Sequence, residues 1–159
     1  MSKLLITIKD IARLSGFDAN IDNNTIQPFI FMAQNSEIKR ILGDTLYTKI
    51  VAENEAGTLA GNYLFIYENY ISVILAYLTC SYYLQLGVVK VSQNGVFVVT
   101  PEKTEPLTDE VIEKKASKYE ALAVGLEIKF LAYLDVLNLP ERPAISDIKP
   151  KSNFNWYRP

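Results

Sequence analysis

Histidine is missing from this chain, and cysteine occurs once, at Cys80. Without histidine the chain has no His-dependent triad, no Cys–His nucleophile and none of the usual zinc sites. A single cysteine excludes a disulfide within the chain. The 7 glycines are scattered along the chain, so no glycine-rich phosphate loop is present. We therefore expect no catalytic residue, no cofactor and no metal, and a protein that is not an enzyme.

An excess of charge of one sign is also missing, since 16 Lys and Arg against 18 Asp and Glu give a net charge of −2 over 159 residues. No overall basic field favours nucleic acid. Among the carboxylates, Glu68 lies in an apolar segment, and we expect it to be partly buried. A subunit salt bridge explains it better than catalysis does, so a small enzyme that uses Glu68 is the weaker alternative. Glu37, beside Lys39 and Arg40, is interpreted as surface charge or pairing at a ring interface.

Long hydrophobic runs are absent as well. The core of the most apolar segment, taken as residues 71–84 between Asn69 and Gln85, is shorter than the roughly 20 residues that a bilayer requires. The first ten residues lack the apolar core of a signal peptide. We expect a central core helix at residues 63–86, no membrane contact, and Cys80 as a small buried apolar residue.

Apolar residues recur at steps of three and four, which predicts a helical protein. A short helix is predicted at residues 9–15, closed by Gly16, and four long helices follow at about residues 25–42, 45–55, 63–86 and 108–139. One face of the first long helix comprises Ile26, Phe29, Ile30, Ala33, Glu37, Ile38 and Ile41. The positions of the fourth predicted to face the third are Val111, Tyr119, Leu122, Leu126, Phe130, Tyr133 and Leu137.

Four residues are predicted to mark helix ends. Pro28 fits a first turn, where its missing N–H costs nothing. Gly43 fits the left-handed end of a helix, while Asp44 and Asn62 fit the caps of the next two helices.

Two segments depart from the helical pattern. Asn94-Gly95 lies between β-branched runs at residues 88–91 and 96–100, which predicts a β-hairpin. Residues 140–159 contain four prolines and no helical period. We interpret them as an extended arm that docks in a groove on another chain, and the alternative is an arm folded over its own helices. The predicted protein-binding residues of the arm are Phe154, Trp156, Tyr157 and Arg158.

Residues 7–16 suggest a different function, because they look like the first helix of a lac-repressor-type helix-turn-helix domain. The next helix is delayed by an Asn/Asp-rich loop and presents Phe29, Ile30 and Phe31, which cannot read base edges. These features weigh against DNA reading. A small helical regulatory or DNA-binding module, based on residues 7–16, is kept as the alternative function.

The block from residue 25 to residue 50 carries a more specific likeness. Residues 26–34 form an aromatic-rich helix, residues 38–43 end in Ile-Leu-Gly, and Leu46-Tyr47 follows. This order resembles small head-tail connector (neck or adaptor ring) proteins of tailed bacteriophages, of the kind found in crAss-like and other Bacteroidetes phages. The likeness extends over residues 1 to about 140.

The resemblance implies a structural virion protein made in the bacterial host cytoplasm and located in the neck of the particle. Such proteins form a ring, twelvefold by the family likeness, that binds the portal protein and joins capsid to tail beside neighbouring neck or tail ring proteins. DNA at most passes through the channel. We thus predict a mainly α fold: a four-helix bundle, residues 1–139, with a short β-hairpin insertion at about 88–100 between helices three and four, and a C-terminal arm at residues 140–159.

Overall fold

The computed structural model describes residues 3–17, 21–87, 89–92, 95–98 and 108–142, with side chains described outside the strand segments. The prediction of a mainly α protein is confirmed. The described helices are α1 (Ile8–Ser15), α2 (residues 23–42), α3 (Asp44–Ala56), α4 (Gly61–Gly87) and α5 (Asp109–Leu137). Strands β1 (Val89–Ser92) and β2 (Gly95–Val98) pair antiparallel, with Val89 opposite Val98.

Two of the helices contain π-helical turns, in which hydrogen bonds join residues five apart. Helix α2 consists of Asn23–Ala33, a π turn at Gln34–Ile38 and Lys39–Leu42. Helix α4 consists of Gly61–Ile66, a π turn at Tyr67–Ile71, Ser72–Tyr82 and a final π turn at Tyr83–Gly87.

The ends of α1 follow from its sequence. Thr7 and Asp10 form a capping box, in which the Asp10 carboxylate accepts from the Thr7 N–H at 2.8 Å. Gly16 closes the helix in the left-handed conformation, with φ 68° and ψ 16°, as predicted.

Gly43 separates α2 from α3 and belongs to both helix ends. Its N–H donates to the Lys39 carbonyl at 2.9 Å, and its carbonyl accepts from the Tyr47 N–H at 3.0 Å. Its φ of 75° is positive, as predicted, but its ψ of 162° lies outside the left-handed helical region. That combination is accessible essentially to glycine alone.

Three other predicted helix ends are wrong. Helix α2 begins at Asn23, so Pro28 lies inside the helix rather than in its first turn. Asp44 is the first residue of α3 and makes no capping bond; its carboxylate instead lies 2.9 Å from the Lys39 ammonium. Helix α4 begins at Gly61, one residue before the predicted cap Asn62.

Helix α4 forms the centre of the core. Its middle section, Ser72–Tyr82, is almost entirely buried, and Cys80 is buried there as predicted. By length and composition, Gly61–Gly87 is also the one described helix that could cross a membrane. However, 56% of its apolar 18-residue stretch is buried inside the protein. Burial by neighbouring helices accounts for the apolar character of α4.

Helix α5 packs antiparallel along α4. Phe130 stacks on Tyr70 with ring centroids 4.9 Å apart, and Tyr119 lies 6.1 Å from Tyr77. The predicted inward positions Val111 and Leu122 are exposed, so that part of the prediction is wrong. The fully buried positions of α5 are Ala116, Ala123, Phe130 and Leu134.

The prediction of a partly buried Glu68 is also wrong. Its side chain is exposed, in the π turn at Tyr67–Ile71. The extra residue of that turn places Ile66, rather than Glu68, on the same buried side as Ile71.

Candidate protein–protein interface

The predicted binding residues Phe154, Trp156, Tyr157 and Arg158 lie outside the described part of the chain. The structure does describe the place where their segment leaves the helices, at residues 138–142. Asn138 ends α5 in a left-handed conformation, with φ 46°. The helix therefore ends at Leu137, two residues before the predicted end at residue 139, and Leu139 is buried in the core.

Glu141 binds this exit segment to two helices. Its carboxylate accepts a hydrogen bond from the Lys49 ammonium at 2.7 Å and another from the Tyr63 hydroxyl at 2.8 Å. Lys49 also lies 4.1 Å from the centre of the Tyr63 ring, a cation–π contact. The hydrogen bond from Lys49 lowers the pKa of Glu141, and the reciprocal bond raises the pKa of Lys49. Both groups therefore stay charged over a wide pH range.

Arg142 ties the same segment to α5. Its side chain is only 6% exposed, and its guanidinium donates to the Asp135 carboxylate through Nη1. Its Nε is buried without a hydrogen-bond partner among the described residues. With Leu139 and Glu141, this residue fixes where the C-terminal segment starts. We call Leu139, Glu141 and Arg142 the exit clamp.

A second ionic contact joins α2 to α5. Arg40 donates from Nη2 to Glu127 at 2.6 Å and, from Nε and Nη2, to Glu37 at 3.1 Å. Burial opposes the charge of Arg40, but the hydrogen bonds and negative charges of Glu127 and Glu37 together outweigh it, so the pKa of Arg40 is raised. The interpretation of Glu37 as simple surface charge is therefore wrong: it belongs to an ion-pair network within the chain.

Gln34 is a fully buried polar residue that the sequence prediction missed. Its Oε1 accepts from the Leu5 N–H at 2.8 Å, while its Nε2 donates to the Lys3 carbonyl and to the Tyr47 hydroxyl. These bonds hold the N-terminal segment against α2. The available signal was spacing, since Gln34 stands four residues from both Ile30 and Ile38 on the buried face.

A cavity of about 740 Å³ opens beside the end of α1. The aromatic side chains of Phe17, Tyr77 and Tyr119 line it, together with Lys115 and Lys118.

Cys80, buried next to α1, donates to the Ser15 hydroxyl at 3.3 Å, and burial raises its pKa to about 11. In the part of the chain that the structure describes, no group of three metal-ligating side chains occurs.

Most of the helical core matches a known protein family. Residues 38–136, more than half of the chain, match a family of unknown function, DUF6712, and the chain belongs to that family. No curated protein and no solved structure matches it. The matched range runs from the end of α2 to the end of α5 and includes both Arg40 and Glu127. The exit clamp and residues 143–159 come after it.

Proposed function

We propose that this protein is a structural component of a phage virion, a head-tail connector that forms a ring on the portal and joins capsid to tail. Residues 25–50 resemble head-tail connector proteins of tailed phages. This resemblance implies twelve copies and a place in the neck, beside other neck or tail rings. In this proposal the protein acts by shape and adhesion rather than by chemistry.

The exit clamp is the observation that carries the proposal. An arm that binds a neighbour gains affinity when its origin is fixed, because less freedom is lost on binding. Glu141 and Arg142 anchor that origin to three helices through Lys49, Tyr63 and Asp135. Beyond the clamp the sequence supplies aromatic and arginine residues, the types that dominate binding energy at interfaces.

The proposed architecture places helices α2 to α5 in a four-helix bundle over residues 1–139. A β-hairpin at about 88–100 separates the last two helices, and residues 140–159 form the arm. In this arrangement the bundle supplies the wall of the ring, and Phe154, Trp156, Tyr157 and Arg158 reach the portal or an adjacent subunit.

Removal of residues 152–159 tests the proposal. The truncated protein should keep its helical circular dichroism, because the exit clamp is intact, and the phage that encodes it should form few tailed particles. Trp156→Ala should weaken portal attachment in the same direction, while the neighbouring change Ser152→Ala serves as the matched control. Normal yields of tailed virions from the truncated protein would refute the connector role.

The regulatory alternative retains one supporting feature, since Lys9 and Arg13 of α1 are exposed. Arg13 lies 3.5 Å from the Asp10 carboxylate, which offsets part of its charge. Retention of duplex DNA that falls steeply with added salt and is lost in Lys9→Glu would favour this alternative.

A further inference from the structure

The outward side of α5 carries apolar residues with no cover among the described residues. We define this outer face by Ala121, Gly125, Ile128, Ala132 and Val136, which recur at helical spacing and are all exposed. Ile128 is 64% exposed and Val136 is 82% exposed. Continuous apolar surface of this kind usually has an occupant.

Gly125 adds an independent observation about the outer face. It lies in the middle of a 29-residue helix, where glycine is unfavourable relative to alanine. A Cβ built at this position would meet nothing within 4 Å, so packing of the described residues does not require glycine there. A backbone that approaches α5 closely from outside would explain it.

The exit clamp places the C-terminal segment beside this face. Arg142 is bonded to Asp135, the residue next to Val136, so the chain passes beyond residue 142 at the end of the outer face. The face is about 22 Å long at 1.5 Å per residue. Nine extended residues span about 28–30 Å, so residues 143–151 are long enough to cover it.

One charge agrees with that path. Four extended residues, about 13 Å, bring Asp147 near the level of Lys129, which is about 10 Å from Val136 along the helix axis. Lys129 is exposed and forms no ion pair within the described ranges, which end at residue 142.

We propose that residues 143–151 of the same chain dock along the outer face of α5, antiparallel to the helix. Ile145 and Ile148 lie three residues apart, one turn of the extended left-handed helix that proline-containing segments adopt, so both can face α5. The docked segment carries Phe154 and Trp156 past the N-terminal half of α5, where they stay available to a partner. This docking does not depend on the virion role.

A disulfide trap tests the path. In a Cys80→Ala background, Lys129→Cys combined with Asp147→Cys should form an intramolecular disulfide at least tenfold faster than the control pair Glu55→Cys with Asp147→Cys. Glu55 is exposed on α3, where its carboxylate lies 3.6 Å from the ammonium of Lys3 in the N-terminal segment. Equal rates for both pairs would overturn the proposal, and so would bridges between chains, which would make a second copy the occupant.

A pair of deletions that leave all the described helices intact gives a second test. Deletion of residues 143–159 should uncover the outer face and raise the binding of a hydrophobic fluorescent dye severalfold, whereas deletion of 152–159 should not. Adding Ile128→Glu to the longer deletion should remove that gain, while Phe31→Glu, an exposed apolar residue on α2, should leave it. Unchanged dye binding after the longer deletion would overturn the docking.

The two proposals fail separately. A fast intramolecular disulfide together with normal virions from the 152–159 deletion would refute the connector role and keep the docking. Slow disulfide formation, together with loss of tailed particles in the 152–159 deletion, would refute the docking and keep the connector role.

Discussion

Gly43→Val should destabilise the protein more than any other single glycine substitution at a helix end. Valine would have to adopt φ 75° and ψ 162°, a region that costs a non-glycine residue about 1–3 kcal/mol. Relaxation is restricted, because the Gly43 N–H and carbonyl are both hydrogen-bonded and the adjacent Leu42 is fully buried. A loss of that size lowers the melting temperature by roughly 2–12 °C for a domain of this length.

Asparagine provides the matched comparison. It tolerates the left-handed helical region, which Asn138 of this chain occupies, but not the region of Gly43. Gly16→Asn, at φ 68° and ψ 16°, should therefore be nearly neutral, while Gly43→Asn should cost about as much as Gly43→Val. Thermal unfolding followed by circular dichroism measures both. Equal melting temperatures for Gly43→Val and the unaltered protein would show that the chain does not turn at Gly43 in this conformation.

Three further predictions concern the ionic contacts and the thiol. Glu127→Gln should cost about 1–3 kcal/mol in denaturant unfolding, because Arg40 loses a charged hydrogen bond in a mostly buried setting. Glu141→Gln should lower the melting temperature at pH 7, and the difference should vanish in acid, since a lowered carboxyl pKa contributes stability that is lost as the pH falls through the folded-state value. Cys80, with its pKa raised to about 11, should react with thiol reagents at pH 8 at least tenfold more slowly than in denaturant.

The first of these predictions has a matched control, and each of the other two has an outcome that would contradict it. Glu53→Gln removes a longer, 3.8 Å contact to Lys49 at a more exposed site, so it should cost less than Glu127→Gln. A melting-temperature difference for Glu141→Gln that grows in acid would contradict the assigned contact. Rapid labelling of the native thiol would mean that Cys80 is not buried under α1.

The helices were largely predictable because apolar spacing and glycine ends depend on neighbouring residues, although three predicted helix starts were wrong. Gly16 and Gly43 marked chain breaks, and apolar spacing marked the helices between them. The inward face of α5 was harder, because Leu122, Val124 and Ile128 surround the helix with apolar side chains, and periodicity then has little contrast. Close packing on α4 selected Ala116 and Ala123 instead, since small side chains allow two helices to approach.

The exit clamp was not predictable from the sequence. Lys49 and Glu141 are separated by 92 positions, and Arg40 and Glu127 by 87. Nothing local distinguishes these residues from the solvated charges beside them. Only the packing of α5 and of the residues that follow it against the other helices brings these pairs together, so both contacts depend on the tertiary fold.

The π turns explain why Glu68 was placed on the wrong side of α4. A helical pattern assumes steps of three or four residues from one buried position to the next, whereas Ala33 and Ile38 in α2, and Ile66 and Ile71 in α4, are five apart and fully buried. Each extra residue rotates the part of the helix before it by about 100° relative to the part after it. That rotation moves Glu68 from the predicted buried side to solvent. A pair of isoleucines five apart inside an apolar helix is therefore a usable signal, and it places the irregular turn between them.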